Sequence, residues 1–178
     1  ATRRPFRSWM GALLLALFWS GEAMAVACTS LSAGRWDQVA RWDCGHIPLA
    51  ADTVVIAHNN VQMRGNYTVA GLTVNAGAVL DGNNRNLTVS SDVTISGIYN
   101  TNGGNLTTTG GGALTVGGTF DFNGGNAAIN GNVVINGTLS SGGDAMQMTG
   151  ANTTLSGTGD VVDTTIEIDA TGVSVPVG

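Results

Sequence analysis

A period of about twenty residues constrains this chain more than any other feature. Lines begun at Asn86, Asn105, Asn126, Ala145 and Thr164 are spaced 19, 21, 19 and 19 residues apart, and the same events recur within them. Leu87-Thr88-Val89 is answered by Leu106-Thr107-Thr108, Ala127-Ala128-Ile129 and Met146-Gln147-Met148. A second apolar site follows at Ile95, Val116, Ile135 and Leu155. Next comes a glycine column at Gly97, Gly118, Gly137 and Gly157, with a large apolar residue behind it at Tyr99, Phe120 and Leu139. Glycine pairs close three lines at Gly103-Gly104, Gly124-Gly125 and Gly142-Gly143. Inside the triplets the side chains alternate, Leu87 and Val89 to one side and Thr88 to the other, as they do in a strand. Val, Ile and Thr suit a pleated surface, and Gly and Asn supply the tight corners. The pattern predicts an all-β chain wound as a parallel β-helix, or β-solenoid, of about 5–6 coils with neighbouring coils about 4.8 Å apart.

Two other architectures compete. A helical fold would carry many of the 27 glycines inside helices, at about 1 kcal/mol each. An antiparallel sandwich needs turn signals every ~8–12 residues, and the glycines do recur that often. The return of whole lines in phase decides for the solenoid.

The N-terminus has another character. Arg3, Arg4 and Arg7 precede an apolar run over 10–19, and Ala23-Met24-Ala25 is a small-x-small cleavage site. Residues 1–25 therefore read as a signal peptide, with Val26 the first mature residue and a secreted or cell-surface destination. Ala25-Val26-Ala27-Cys28 also resembles a bacterial lipoprotein box, the minor alternative, in which a lipidated Cys28 could not pair with Cys44. Residues 26–178 hold four arginines, no lysine and eleven acidic residues, a net charge of −7. Four arginines cannot build the basic surface that a phosphate backbone requires, which argues against nucleic acid as a partner. No second apolar run is long enough to span a membrane. Export places Cys28 and Cys44 in an oxidising compartment, where one disulfide is the default. Two free thiols, or a metal site adding His46, are the alternatives.

Residues 26–64 hold both cysteines, both histidines, and Trp36 and Trp42; residues 65–178 are repeats rich in Gly, Asn, Thr, Ser and aliphatics. A solenoid must cover its open end, so 26–64 is expected to be an N-terminal cap plugged by Trp36 and Trp42. Val61 and Met63 would extend the first strand. Ile166, Ile168, Val173 and Val175 still carry inward-type side chains close to Gly178. The natural protein is therefore expected to continue beyond it.

The landmarks of the cap are Cys28-Thr29-Ser30, Gly34-Arg35-Trp36, Arg41-Trp42-Asp43-Cys44-Gly45, Ile47-Pro48 and Asp52-Thr53-Val54-Val55-Ile56. Their order resembles the N-terminal segment of secreted bacterial β-helix proteins and the start of the glycine-rich G8 domain of extracellular proteins. Similar segments occur in large bacterial surface proteins, including those encoded near mannose-sensitive haemagglutinin pili. The resemblance implies an extracellular, right-handed parallel β-helix with an adhesin-like or surface-structural role, and it carries over no active site. Gly34, Gly45, Gly65 and Gly71 correspond to glycines of that domain, whereas His58-Asn59-Asn60 stands where a glycine is common. The residues expected to matter structurally are Cys28, Cys44, Trp36, Trp42, Pro48, Asp52, Gly97, Gly118 and Gly137.

Catalytic chemistry is sparse. Polysaccharide lyases and hydrolases need clustered carboxylates or a basic residue on adjacent coils, and no Lys or Arg follows Arg85. Asp144 and Asp163 are one coil apart and are expected to stack at one corner. They are candidates for a calcium site, although such a site needs about six to eight oxygens and a solvated turn explains them as well. Asp121 is expected to face outward between packed Phe120 and Phe122. His46 and His58 read as polar cap residues. Ser90-Ser91, Ser140-Ser141 and the runs Thr107-Thr108-Thr109, Thr153-Thr154 and Thr164-Thr165 read as turn and strand-surface residues outside any common column. The sequons at Asn66, Asn86, Asn105, Asn136 and Asn152 read as corner asparagines in left-handed conformation. No catalytic or cofactor-binding residue is predicted. The expected function is an exported, non-enzymatic, adhesin-like β-helix, a rigid stalk or display surface for a glycan or protein ligand. One alternative is the N-terminal part of a carbohydrate-active β-helix enzyme with catalytic coils downstream; another is a calcium- or ice-binding module.

Overall fold

The computed structural model describes residues 24–168. The leader up to residue 23, and with it most of the expected signal peptide, lies outside the described residues, as do Val173 and Val175. Short strands recur in threes, and each coil gives one strand to each of three parallel sheets. The first sheet stacks Ala27–Thr29, Thr53–Ile56, Gly71–Val74, Val93–Ile95, Leu114–Val116, Val133–Ile135 and Leu155–Ser156. The second runs from Gly34–Arg35 through Val61–Gln62, Val79–Asp81, Ile98–Asn100, Thr119–Asp121 and Thr138–Ser140 to Asp160–Val162. The third contains Tyr67–Val69, Leu87–Val89, Leu106–Thr108, Ala127–Ile129, Ala145–Met148 and Thr165–Ile168. Six full coils therefore follow an incomplete first one, in agreement with the solenoid read from the period.

Alternation fills the column. In Leu87–Val89, Val93–Ile95, Leu114–Val116 and Val133–Ile135 the outer two residues are buried and the middle one is half-exposed. Leu87 lies beside Leu106, which lies beside Ala127 and then Met146. Ile95, Val116 and Ile135 form a second buried file. Leu80, Tyr99, Phe120 and Leu139 form a third. Tyr99 stacks on Phe120 at 5.4 Å between ring centroids, and Phe122 adds a tilted ring at 5.4 Å. Asp121 lies between these rings in sequence and faces outward, as its flanks predicted.

The last coil departs from the phase read in the sequence. Its third-sheet strand starts at Thr165, which pairs with Ala145, so that line begins at Thr165 rather than Thr164. Leu155 lies beside Val133 rather than Ile135. The glycine continuing the column is Gly159, whose Cβ direction meets Gly137 O, not Gly157. The corners are the cause. Residues 149–154 separate the fifth and sixth coils where residues 130–132 served one coil earlier. Corners lie at the surface and accept extra residues that the strands cannot.

The cap fills the place of the missing third-sheet strand. Strands begin well inside 26–64: the first full coil starts at Thr53, Val61–Gln62 is its second strand, and Met63 is buried behind it. Residues 36–52, with a single 3-10 turn over Val39–Arg41, form the lid itself. Trp36 and Trp42 meet edge to face at 4.9 Å, and Trp36 stacks at 5.0 Å on Tyr67, the first third-sheet residue. The lid also covers the free edge of Ala27–Thr29. Leu31 N–H donates to Arg41 O at 2.8 Å, Thr29 N–H to Asp43 Oδ1 at 2.6 Å and Asp43 N–H to Thr29 O at 3.1 Å. Uncovered edge groups would invite pairing with another chain. Pro48 and Asp52 are both buried in this lid.

Cys28 and Cys44 form a disulfide that ties the lid to the first strand. Joining residues sixteen apart stabilises by roughly 3 kcal/mol in the chain-entropy model. Replacing both cysteines by serine is therefore expected to lower urea-unfolding stability by about 2–4 kcal/mol, with first-coil amides losing hydrogen-exchange protection before those of later coils. Unchanged protection at the first coil would show that the lid holds without its staple.

One corner carries a side-chain ladder. Asn66 Oδ1 accepts from Asn86 N–H at 2.9 Å, Asn86 Oδ1 from Asn105 N–H at 3.1 Å, and Asn105 Oδ1 from Asn126 N–H at 2.9 Å. Three of the sequon asparagines thus serve as coil-to-coil acceptors, and of the five only Asn152 has positive φ. The left-handed corner asparagines are mostly others: Asn60, Asn83, Asn84 and Asn102.

Candidate functional site

On the first and third sheets the middle residue of a triplet points outward, and on the second sheet its two flanking residues do, so the outer faces are organised in files. On the first sheet Val55, Thr73, Thr94, Thr115 and Val134 succeed one another, one coil apart and all half-exposed. On the third sheet Thr68, Thr88 and Thr107 form a second threonine file. Threonines in such a file present a methyl and a hydroxyl at intervals of about 4.8 Å. A shallow trough of about 430 Å³ opens on the first face, lined among others by Thr53, Val55, Gly71, Thr73, Asp92 and Thr94. Gly71 makes the dip: it lies between Thr53 and Asp92 in their file and contributes no side chain. Asp92 Oδ1 is held by Ala113 N–H at 2.9 Å.

The second sheet presents Gln62, Asp81, Asn100, Asp121 and Ser140. These carboxylates serve the turns. Asp81 accepts from Gln62 Nε2 at 2.8 Å, Asn102 Nδ2 at 2.7 Å and Asn83 N–H at 2.9 Å; Asp121 accepts from Asn123 N–H at 3.1 Å. At the lid, the Arg35 guanidinium holds the Asp37 carboxyl below its usual range through hydrogen bonds and charge. Complete burial among apolar rings pushes the Tyr99 hydroxyl well above the ordinary tyrosine range.

The expected site residues take varied positions. Asp144 and Asp163 belong to the same corner, but Asp163 sits in a corner of only two residues, 163–164, opposite one of four, 141–144. The Asp144 carboxylate accepts from Gly124 N–H at 2.5 Å, and Asp163 backbone O accepts from Gly143 N–H at 2.7 Å. The ligand atoms of Cys28, Cys44 and His46 lie within 4.8 Å of one another. Both sulfurs are committed to the disulfide, and a metal would require them as thiolates. His58 Nδ1 lies 3.3 Å from Ser30 Oγ, which also accepts from Ala57 N–H at 2.9 Å. That serine is buried and fastens strand edges.

Three surface expectations are corrected. Thr108, Ser141 and Thr153 are buried, because each turns inward at or beside a corner, where its hydroxyl serves the backbone; Thr153 Oγ1 donates to Gly150 O at 3.2 Å. Thr108 Oγ1 donates to Gly112 O at 2.9 Å and accepts from Asn130 N–H at 2.8 Å; Ser141 Oγ lies 2.7 Å from Asp144 O. The threonine files are the feature that sequence reasoning missed. Consecutive threonines were the wrong unit, since neighbours in a strand face opposite sides. The middle letters of Leu72-Thr73-Val74, Val93-Thr94-Ile95 and Leu114-Thr115-Val116 carried the signal in the sequence.

No helix among the described residues is long and apolar enough to cross a membrane. In comparison with known proteins, no family model, no curated protein and no solved structure matches this chain.

Proposed function

We propose that this chain is an exported, non-enzymatic surface protein whose β-helix displays rows of side chains to a neutral, hydroxyl-rich ligand, a glycan before any other. The observation that carries the reading is the file Thr73, Thr94 and Thr115 running out of the trough at Gly71. A rigid file of hydroxyls and methyls repeats one weak contact at fixed intervals, and an extended polymer gains affinity from the repetition. Charge narrows the ligand. No Lys or Arg follows Arg85 in the sequence, so these faces offer an acidic polysaccharide no cation. The cap landmarks and the leader support export to the surface, and the disulfide fits an oxidising compartment.

Thr→Val at residues 73, 94 and 115 together removes three hydroxyls while keeping shape. On an array of neutral and acidic polysaccharides, the native chain is expected to retain neutral ones without releasing product. The triple variant should bind at least about tenfold more weakly, roughly 1.4 kcal/mol, with an unchanged fold by circular dichroism. Retention undiminished in the triple variant, or retention of acidic polymers only, would reject the face as the site.

A further inference from the structure

Asp52 is 1% exposed, and its carboxylate is aimed at the start of the first strand. Its Oδ1 accepts from Val26 N–H at 3.0 Å, and its Oδ2 accepts from Leu49 N–H at 2.8 Å. Among the described residues the one ion-pair partner within 4 Å is His46, with Nδ1 at 3.7 Å. Val26 is fixed from its other side, since Thr53 N–H donates to Val26 O at 3.0 Å. A buried carboxylate with two amide donors and no firm cation is costly. The nitrogen it grips belongs to the residue that directly follows Ala23-Met24-Ala25. Met24 is 83% exposed and Val26 40%, so the intervening bond lies at the surface.

We infer that the Ala25–Val26 bond is a processing site and that its cleavage completes the lid, by creating an α-ammonium at Val26 that pairs with Asp52. Water adds across the peptide bond: the carbonyl carbon of Ala25 leaves as a carboxylate, and the nitrogen of Val26 takes up protons to become an ammonium. The same nitrogen that donated one amide hydrogen then donates from a charged group, a stronger bond to a carboxylate. Removal of the leader and strengthening of the lid's hold on the first strand thus become one event. This inference rests on the export reading above, which supplies the processing protease.

The mature sequence contains no lysine, so the α-amine is the sole primary amine of the processed chain and reports on itself. Residues 26–168 contain every described strand, so the test uses chain 26–178, released by a protease that leaves Val26 free. Its native α-amine is expected to react with cyanate about tenfold more slowly than in guanidinium-unfolded chain, because pairing stabilises the protonated form. Capping that amine by carbamylation, or retaining Ala23-Met24-Ala25 ahead of it, should lower Tm by at least about 4 °C. Asp52→Asn should remove the difference between free and capped chains. Equal reactivity in folded and unfolded chain, or equal melting of free and capped chain, overturns the latch without reference to export; the cyanate arm holds even if Asp52→Asn fails to fold. Separately, the full chain made in an exporting host should be recovered with the mass of a chain beginning at Val26. Another start, or a lipidated Cys28, overturns the processing site, and a chain recovered with its leader uncut overturns the export reading as well, whatever the cyanate result.

Discussion

Replacing Gly118 with alanine is expected to prevent the coils from stacking. A Cβ at Gly118 would lie 2.0 Å from Gly97 O and 2.6 Å from Ser96 O, both backbone atoms that cannot swing aside. The same collision repeats along the column, Gly97 against Asn75 O at 2.3 Å and Gly137 against Gly118 O at 2.0 Å. None of the three has a positive φ, so the requirement is space between successive corners rather than backbone freedom. Relief would need one coil to lift from the next, breaking the bonds by which Gly118 and Thr119 N–H donate to Ile95 O and Gly97 O at 2.8 Å. The expected cost exceeds about 3 kcal/mol, at the upper end for an overpacked site. Urea unfolding followed by circular dichroism measures it. Gly71→Ala is the control: its Cβ would meet Thr53 Cγ2 at 3.4 Å, an ordinary contact, and stability should stay within about 0.5 kcal/mol. Equal behaviour of the two variants would show that coil spacing is softer than the stacked corners require.

Trp36→Ala should cost about 3–5 kcal/mol and make the chain self-associate. The ring is fully buried, stacked on Tyr67 and set edge-on to Trp42. Its loss leaves a cavity over the first coil and withdraws the plug from the apolar cluster beneath it. Trp36→Phe should recover most of the stability, because Trp36 Nε1 makes no hydrogen bond that phenylalanine would forfeit. The bond from Trp42 Nε1 at 2.8 Å goes to the backbone oxygen of Trp36 and survives either change. Denaturant unfolding gives the energy and light scattering gives the association. A monomeric Trp36→Ala chain of native stability would move the capping role elsewhere in residues 36–52.

Much of this architecture was legible because strands and stacking both leave a period. Alternation within Leu87–Val89 told inside from outside, and the interval between lines told which residues meet across coils. The reading lost phase only in the last coil, where 149–154 replaced the shorter corner 130–132. A corner of variable length breaks a count without disturbing the fold. The lid was legible as to which residues plug the end, since Trp36 and Trp42 have no other use in so aromatic-poor a chain. Its extent was not, because Thr53–Ile56 and Val61–Gln62 already run as strands within a stretch whose composition differs from the repeats.

The outer surface divides in the same way. The solenoid, its inward files, the outward Asp121 and the candidate disulfide partners are all written into the chain, because each follows from local alternation, a fixed interval or residue chemistry. The folded coils add that Asn66, Asn86 and Asn105 form a ladder, that Thr73, Thr94 and Thr115 stand in one file beside a trough, and that Asp52 reaches the nitrogen of Val26 across 26 positions of chain. Those features depend on which atom lies opposite which once coils of unequal length are laid on one another. Such distances are set by the winding as a whole and are carried by no single repeat.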